Sequence, residues 1–167
     1  MADTKIENLP DGVTAAPSDR IPATRDPTGT PSNVYLTTEY IATHTRSGIA
    51  GGIVANISGG GAEIATGLKG FIRVPYAMTL TKVTALADQT GSIVVDVWKD
   101  TYANFPPDNS DSITASAPVT ITSGVKSEDS TLSGWTTSLS AGDVLAFNVD
   151  SVTGIEQLTI ILEGARS

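Results

Sequence analysis

Asp96 is the residue whose position first suggests chemistry, because this acid stands in the middle of an apolar run, between Val95 and Val97. General acid–base hydrolysis of a glycoside needs a second carboxylate about 5–10 Å away. The candidates for that second carboxylate are Asp88, Asp100 and Asp143. They are candidates only because acids are plentiful in this chain, so a hydrogen-bonded residue of a strand is the better interpretation of Asp96.

Nucleophilic and metal chemistry have little support in the sequence. His44 is the only histidine, no Gly-x-Ser-x-Gly element presents a nucleophile, and the chain has no cysteine. The loop 108–112 offers oxygen atoms of the kind that Ca²⁺ prefers, but it lacks the EF-hand spacing and its final Glu. A polar turn after Pro106-Pro107 explains this loop without a metal. We therefore expect no catalytic residue, no metal site, no cofactor and no enzymatic activity.

Aromatic side chains are the remaining candidates for contact with a ligand. Sugar rings pack on aromatic faces, and the aromatic residues in question are Trp98, Tyr102, Phe105 and Trp135. Packing in a core explains Trp98 equally well. Tyr102 and Phe105 belong to the loop 101–112, and binding residues are concentrated in loops. We predict that Tyr102 and Phe105 contact a ligand or partner.

The overall charge disfavours some partners. The 167 residues include 18 acidic and 10 basic ones, so the formal net charge is −8. No cluster of lysine or arginine could neutralise phosphates, which disfavours nucleic acid and an anionic membrane surface as partners. No stretch reaches the ~18 apolar residues that suggest a membrane-spanning helix. No apolar run follows Met1, so we expect no signal peptide, no membrane insertion and synthesis in a cytoplasm.

Residues 1–45 are predicted to form an extended, largely irregular arm. Prolines interrupt this segment every four to seven residues, at Pro10, Pro17, Pro22, Pro27 and Pro31. Such spacing leaves no room for a helix or a central strand. Single apolar residues between the prolines suit a segment that lies along another surface. The residues that we expect to bind a partner are Ile6, Leu9, Ile21, Tyr35 and Tyr40. Glycine-rich runs then predict a flexible hinge over 46–61.

From residue 62 onwards the pattern is that of short strands, and we predict an all-β domain over 62–167. In Ser92–Lys99, Ile93, Val95 and Val97 share one face and alternate with residues of the other face. Residues 78–86 alternate in the same way, and Gln89-Thr90-Gly91 predicts a turn between these two strands. Seven or eight short strands at this spacing favour an antiparallel β-sandwich, either jelly-roll-like or Ig-like.

Four segments of this domain stand out by their order and spacing. They are Gly91-Ser92-Ile93-Val94-Val95-Asp96-Val97-Trp98-Lys99, Phe105-Pro106-Pro107, Ser133-Gly134-Trp135-Thr136-Thr137 and Ala141-Gly142-Asp143-Val144-Leu145-Ala146-Phe147. Three segments precede them in the arm: Lys5-Ile6-Glu7-Asn8-Leu9-Pro10, Asp19-Arg20-Ile21-Pro22 and Tyr35-Leu36-Thr37-Thr38-Glu39-Tyr40-Ile41. Together they resemble structural proteins of tailed bacteriophages, especially tail-fibre and related appendage proteins.

This resemblance implies a non-enzymatic virion protein that is made in the host cytoplasm. Its arm would bind other virion proteins, and its β-sandwich would project from the particle as a homotrimer. The role that fits best is a short tail fibre or receptor-binding appendage for host attachment, with a host surface glycan or receptor as a partner. A capsid decoration (cement) protein is the alternative, and a carbohydrate-binding module of a depolymerase is the second alternative.

Overall fold

The computed structural model describes the backbone of residues 20–25 and 32–37, and both backbone and side chains of residues 49–166. The chain divides into two units, Met1–Ser47 and Gly48–Ser167. The second unit contains a hydrophobic core to which each of its longer strands contributes.

The described residues of the first unit form one antiparallel pair of strands, β1 (Arg20–Arg25) and β2 (Ser32–Thr37). Proline is compatible with this arrangement because each strand of a two-stranded pair keeps a free edge. Pro22 stands opposite Tyr35 in the register, and Ile21 also lies in this pair. This part of the chain is therefore more regular than the predicted arm. The other predicted partner-binding residues, Ile6, Leu9 and Tyr40, lie outside the described residues.

The second unit is built from seven antiparallel strands. They are β3 (Ala50–Ser58), β4 (Gly67–Arg73), β5 (Met78–Asp100), β6 (Val119–Asp129), β7 (Ser138–Leu139), β8 (Val144–Thr153) and β9 (Gln157–Arg166). Two short 3-10 turns, Tyr102–Asn104 and Asn109–Asp111, lie in the loop between β5 and β6. The all-β, antiparallel fold class that the sequence predicts is confirmed.

The length of β5 makes the sheet curl into a sandwich-like shape. The first half of this strand, 78–87, pairs with β9, whereas its second half, 92–100, pairs with β8. Shifts of register at Leu80/Lys82 and at Val94/Val95 allow the strand to bend. The resulting order is β3-β9-β5-β8-β4, with β6 and β7 also paired to β5. As a consequence, β3 and β4 stand at the two ends of the strand order.

The core lies inside this curl, where the inward faces of the strands meet. The predicted inward residues Ile93, Val95 and Val97 are each at most 1% exposed, which confirms the predicted face. β8 contributes Leu145, Phe147 and Val149, and β9 contributes Leu158, Ile160 and Leu162. Along β9, buried residues alternate with more exposed ones, as the two-residue period of a β-strand requires.

The predicted hinge over 46–61 is wrong for most of its length, because residues 50–58 form β3. This strand pairs with β9 along its whole length, and it buries Ile53, Ala55 and Ile57. The glycines that suggested flexibility have a steric role instead. A Cβ atom on Gly51 would lie 2.8 Å from the Tyr76 ring, which is closer than packing allows. The folded unit therefore begins near residue 48 rather than at residue 62.

The predicted turn at Gln89-Thr90-Gly91 is also wrong, since β5 runs through it without interruption. A Cβ atom on Gly91 would collide with the carbonyl oxygen of Thr153 on β8. Gly91 therefore marks a close approach of two backbones where the strand bends, which is a common role of glycine inside a strand.

Candidate functional site

The outer face of β4 presents two side chains that the sequence analysis did not select. Phe71 pairs with Ala146 of β8, which pairs in turn with Trp98 of β5, so these three residues form one row across the sheet. Arg73 lies two residues further along β4, on the same face. Ile72 between them packs against the core. Phe71 and Arg73 therefore project away from the core as neighbours.

The loop that follows β5 crosses this outer face. By alternation Ala146 belongs to the outer face, yet it is 0% exposed and lies between Phe71 and Trp98 in the sheet. Two backbone contacts hold the loop against β5. Ser112 pairs with Trp98 in a single antiparallel β-bridge, and the Ile113 amide donates a hydrogen bond to the Val97 carbonyl at 2.9 Å. The loop is thus a packed layer of the fold, and its side chains occupy defined positions.

Asp96 is the polar centre that fixes this loop. Its carboxylate accepts hydrogen bonds from Trp98 Nε1 at 2.7 Å, from Ser112 Oγ at 2.7 Å and from Thr114 Oγ1. Asp96 is only 8% exposed, and a buried carboxylate is tolerated when donors satisfy its oxygens. The interpretation of Asp96 as a hydrogen-bonded strand residue agrees with these contacts.

The other three acids considered with Asp96 each have separate local partners. Asp100 accepts from the Thr101 amide at 2.6 Å, and Asp88 accepts from the amides of residues 156 and 157. Asp143 accepts from the Ser140 amide at 2.9 Å and lies 3.5 Å from Lys99 Nζ. Each of these contacts stabilises a turn or a strand end.

The loop 108–112 is organised by its own side chains. The Asp108 carboxylate accepts hydrogen bonds from the backbone amide and the hydroxyl of Ser110, and the Asp111 carboxylate accepts one from the Asp108 amide. The two acids therefore form a reciprocal cap on a 3-10 turn. The Ser110 hydroxyl, followed by its backbone amide, lowers the pKa of Asp108 below its ordinary value. Across residues 49–166 there is no group of three His, Cys, Asp or Glu side chains placed to hold a metal ion.

Tyr102 and Phe105, the two predicted ligand-contact residues, lie beside Phe71 and Arg73. Phe105 and Phe71 pack edge to face with ring centroids 4.8 Å apart, and the Arg73 guanidinium lies 5.3 Å from the centroid of Tyr102. We call these four residues the aromatic patch. Its rings stay open to solvent: Tyr102 is 69% exposed, Phe105 48% and Phe71 42%. The patch is therefore the largest cluster of exposed aromatic surface that the described part of the chain presents.

The two tryptophans have structural positions instead. Trp98 Nε1 donates to Asp96, as described above, and Trp135 Nε1 donates to the Ala117 carbonyl at 2.8 Å. Both side chains are half-buried. Trp98 lies on the outer face of β5 and is not part of the core, whereas Trp135 packs against the core and is hydrogen-bonded to the end of the loop.

Arg73 differs from two other basic residues of the sheet in its electrostatic surroundings. Lys82 lies 2.7 Å from Glu163 and 3.6 Å from Glu128, and Lys99 pairs with Asp143. Arg73 has no carboxylate within 4 Å among the residues that the structure describes. A shallow, open depression beside it is lined by Val74, Pro75 and residues 141–142. Its guanidinium therefore combines aromatic contact with a positive charge that no carboxylate of the described residues neutralises.

Within the described ranges, no helix has both the length and the apolar character needed to cross a membrane.

Comparison with known proteins gives no further assignment of this site. No protein-family model, curated protein or solved structure matches the chain.

Proposed function

We propose that this chain is a non-enzymatic structural component of a tailed-phage virion, a short trimeric tail fibre or receptor-binding appendage anchored by its N-terminal arm. The proposal rests on the resemblance of the sequence segments and on one structural observation, the aromatic patch. Tyrosine and arginine are enriched among the residues that dominate binding energy. A contiguous cluster of exposed rings is unusual on a protein surface that has no partner.

The elements that hold the four residues of the aromatic patch in position support a role in binding. Phe71 and Arg73 stand on a strand, and Tyr102 and Phe105 stand on a loop that Asp96 and its three donors hold in place. A surface that is already ordered before contact loses less conformational entropy when it binds. Rigid presentation of exposed side chains by a sheet is what an attachment protein needs.

The ends of the strand order support the homotrimer. Among the described strands, β3 pairs with β9 alone and β4 with β8 alone, so each has one edge that no described strand covers. Free edges present unpaired N–H and C=O groups that another chain can cover. Packing of three copies side by side would cover edges of this kind, and the mass of the purified chain in solution tests it directly.

The virion assignment is tested by co-purification. Particles are purified from a lysate of cells that produce this chain. We expect the chain to co-purify with DNA-containing particles through a density gradient, at a few dozen copies per particle or fewer. Hundreds of copies per particle would instead identify a capsid decoration protein. Particles that lack the chain would refute the virion assignment.

The contribution of the aromatic patch is tested by replacing Tyr102 and Phe105 with Ala together. Because both side chains are largely exposed, the melting temperature should change by no more than a few degrees. Adsorption of the particles to host cells should fall. Leu86→Ala, at another exposed apolar residue (43%), is the matched control and should leave adsorption unchanged.

A further inference from the structure

The aromatic patch combines two kinds of recognition within one small area. Ring faces carry partial negative charge and attract the C–H groups of a sugar ring. A guanidinium presents a planar fork of N–H donors that fits a carboxylate or a phosphate in a bidentate manner. Arg73 contacts Tyr102 at 5.3 Å, so both kinds of group are available to a single sugar unit.

We infer that the aromatic patch binds an acidic carbohydrate, with the sugar ring against Tyr102 and Phe105 and the sugar's oxyanion at Arg73. This inference rests on the proposed function, since it names the ligand class of the same surface. Charge complementarity carries it: Arg73 has no carboxylate partner within 4 Å among the described residues, and its charge remains available to a ligand.

The shape of the surface favours a carbohydrate over an apolar peptide. The three rings are exposed on an open face, and the depression beside Arg73 is shallow and open to solvent. Asn104 supplies an amide in the same short turn as Tyr102, at the rim of the patch. Stacking surfaces with a polar rim suit a ring that has C–H faces and hydroxyl edges.

An acid that shares a row of the sheet with the patch, Asp100, has its own hydrogen-bond donors. Asp100 stands in the same row of the sheet as Arg73, with Val144 between them. Its carboxylate accepts from the Thr101 amide and from Asn104 Nδ2 at 3.2 Å. The overall net charge of −8 opposes a polyanion at long range, and salt screens that repulsion. We therefore expect the affinity for an acidic sugar to survive in moderate salt.

The test titrates the full chain with trigalacturonic acid and with its methyl ester, which keeps the sugar faces and removes the charge. Calorimetry should show that the acid binds at least about tenfold more tightly than the ester, a difference of about 1.4 kcal/mol. Glucose 6-phosphate in a parallel titration distinguishes a phosphate from a carboxylate as the preferred oxyanion. The neutral counterparts are the methyl ester for trigalacturonic acid and glucose for glucose 6-phosphate. A higher affinity for either acid than for its neutral counterpart supports the inference.

Variants assign the binding to the aromatic patch. Arg73→Gln should lower the affinity for the acid about tenfold and leave the ester unaffected, whereas Tyr102→Ala should weaken both. Lys126→Gln removes an equal charge from an exposed residue on β6 and should change neither affinity. Equal melting temperatures of these variants would show that the fold is intact.

Two results would overturn the inference. One is that neither trigalacturonic acid nor glucose 6-phosphate binds more tightly than its neutral counterpart; the other is that neither acid binds at all. Neither result affects the virion assignment, which depends on co-purification with particles. Particles without the chain would refute the proposed function, whether or not the chain binds the sugars.

Discussion

Asp96 connects two parts of the chain through a single side chain. It stands on the outer face of β5, and two of its three donors, Ser112 and Thr114, come from the loop that covers this face. Because the carboxylate is buried, its removal would leave three donors without an acceptor. An unsatisfied buried donor costs about 1–3 kcal/mol. At the residue scale, Asp96 is therefore a positioning group for the loop that carries Tyr102 and Phe105.

Replacement of Asp96 by Ala tests that role. We expect the free energy of unfolding to fall by about 3 kcal/mol, because Trp98 Nε1 and two hydroxyl groups lose their acceptor. Urea denaturation measures the change. Asp150→Ala is the control, since Asp150 is exposed and, within the described residues, accepts its side-chain hydrogen bond from Asn148. If both variants lose the same small amount, the network around Asp96 does not stabilise the fold.

Val95 provides a second test at the scale of one residue. Its side chain is 0% exposed and belongs to the core, as the alternation of Ser92–Lys99 predicts. Val95→Asp would place a carboxylate among apolar groups, with a cost of several kcal/mol, so we expect no cooperative thermal transition. Val125→Asp makes the identical change at a residue that is 42% exposed and should melt like the unmodified chain. A Val95→Asp chain that melts normally would contradict the assignment of this face.

At the scale of elements, the alternation of apolar and polar residues predicted most of the strands and their inward faces. Glycine was the source of the two errors. Gly51 and Gly91 were taken as signs of a hinge and a turn, yet each allows a close approach within the sheet. A sequence cannot distinguish these uses, because the atom that makes contact, such as the carbonyl oxygen of Thr153, comes from a distant part of the chain.

The turn after β6 gives the molecule a source of acid sensitivity. Asp129 is the last residue of β6. Its carboxylate accepts hydrogen bonds from the hydroxyl and the backbone amide of Thr131 and from the backbone amide of Leu132. The Thr131 hydroxyl, and then its amide, lower the pKa of Asp129 below its ordinary value of 3.8. Leu132 is buried with a φ of +46°, so this cap holds a residue in a left-handed conformation.

The lowered pKa of Asp129 predicts a pH dependence with a definite sign. A carboxyl group whose pKa is lower in the folded state stabilises the protein fully above the unfolded value, and this contribution is lost as pH falls through the folded value. The stability that Asp129 contributes should therefore decline below a pH of about 3.8. Asp129→Asn should be less stable than the unmodified chain near neutral pH.

Chemical denaturation at several pH values measures this effect. The difference in unfolding free energy between the Asp129→Asn chain and the unmodified chain should narrow as pH falls below 3.8. Asp150→Asn is the control, because it makes the same change at an exposed carboxylate of β8. A difference that stays constant over this range would show that the Asp129 carboxylate does not stabilise the turn through its charge.

At the scale of the whole molecule, the sequence indicated the fold class and half of the candidate site. Tyr102 and Phe105 were selected because they belong to a loop. Phe71 and Arg73 were not, because they lie about thirty residues earlier and reach the loop only through the strand order β4-β8-β5. Pairing across three strands is a long-range property that local pattern does not specify. That no described carboxylate lies within 4 Å of Arg73 is likewise visible only in three dimensions.

The division into two units predicts what each part of the chain can do alone. A chain that starts at Gly48 keeps β3 and the whole core, so it should melt cooperatively within a few degrees of the full chain. A chain that starts at Gly61 lacks β3, and with it the buried side chains of Ile53, Ala55 and Ile57. Loss of three buried apolar residues and of a strand that pairs with β9 should abolish folding.

The same pair of truncated chains separates folding from assembly. If residues 1–47 attach the chain to the virion, the chain that starts at Gly48 should fold but fail to enter particles. Calorimetry and gradient co-purification measure the two properties on one preparation. Normal incorporation of this shorter chain would place the attachment surface within Gly48–Ser167, and the free edges of β3 and β4 would then be the first surfaces to examine. Cooperative melting of the chain that starts at Gly61 would show that β3 is dispensable and would restore the boundary predicted at residue 62.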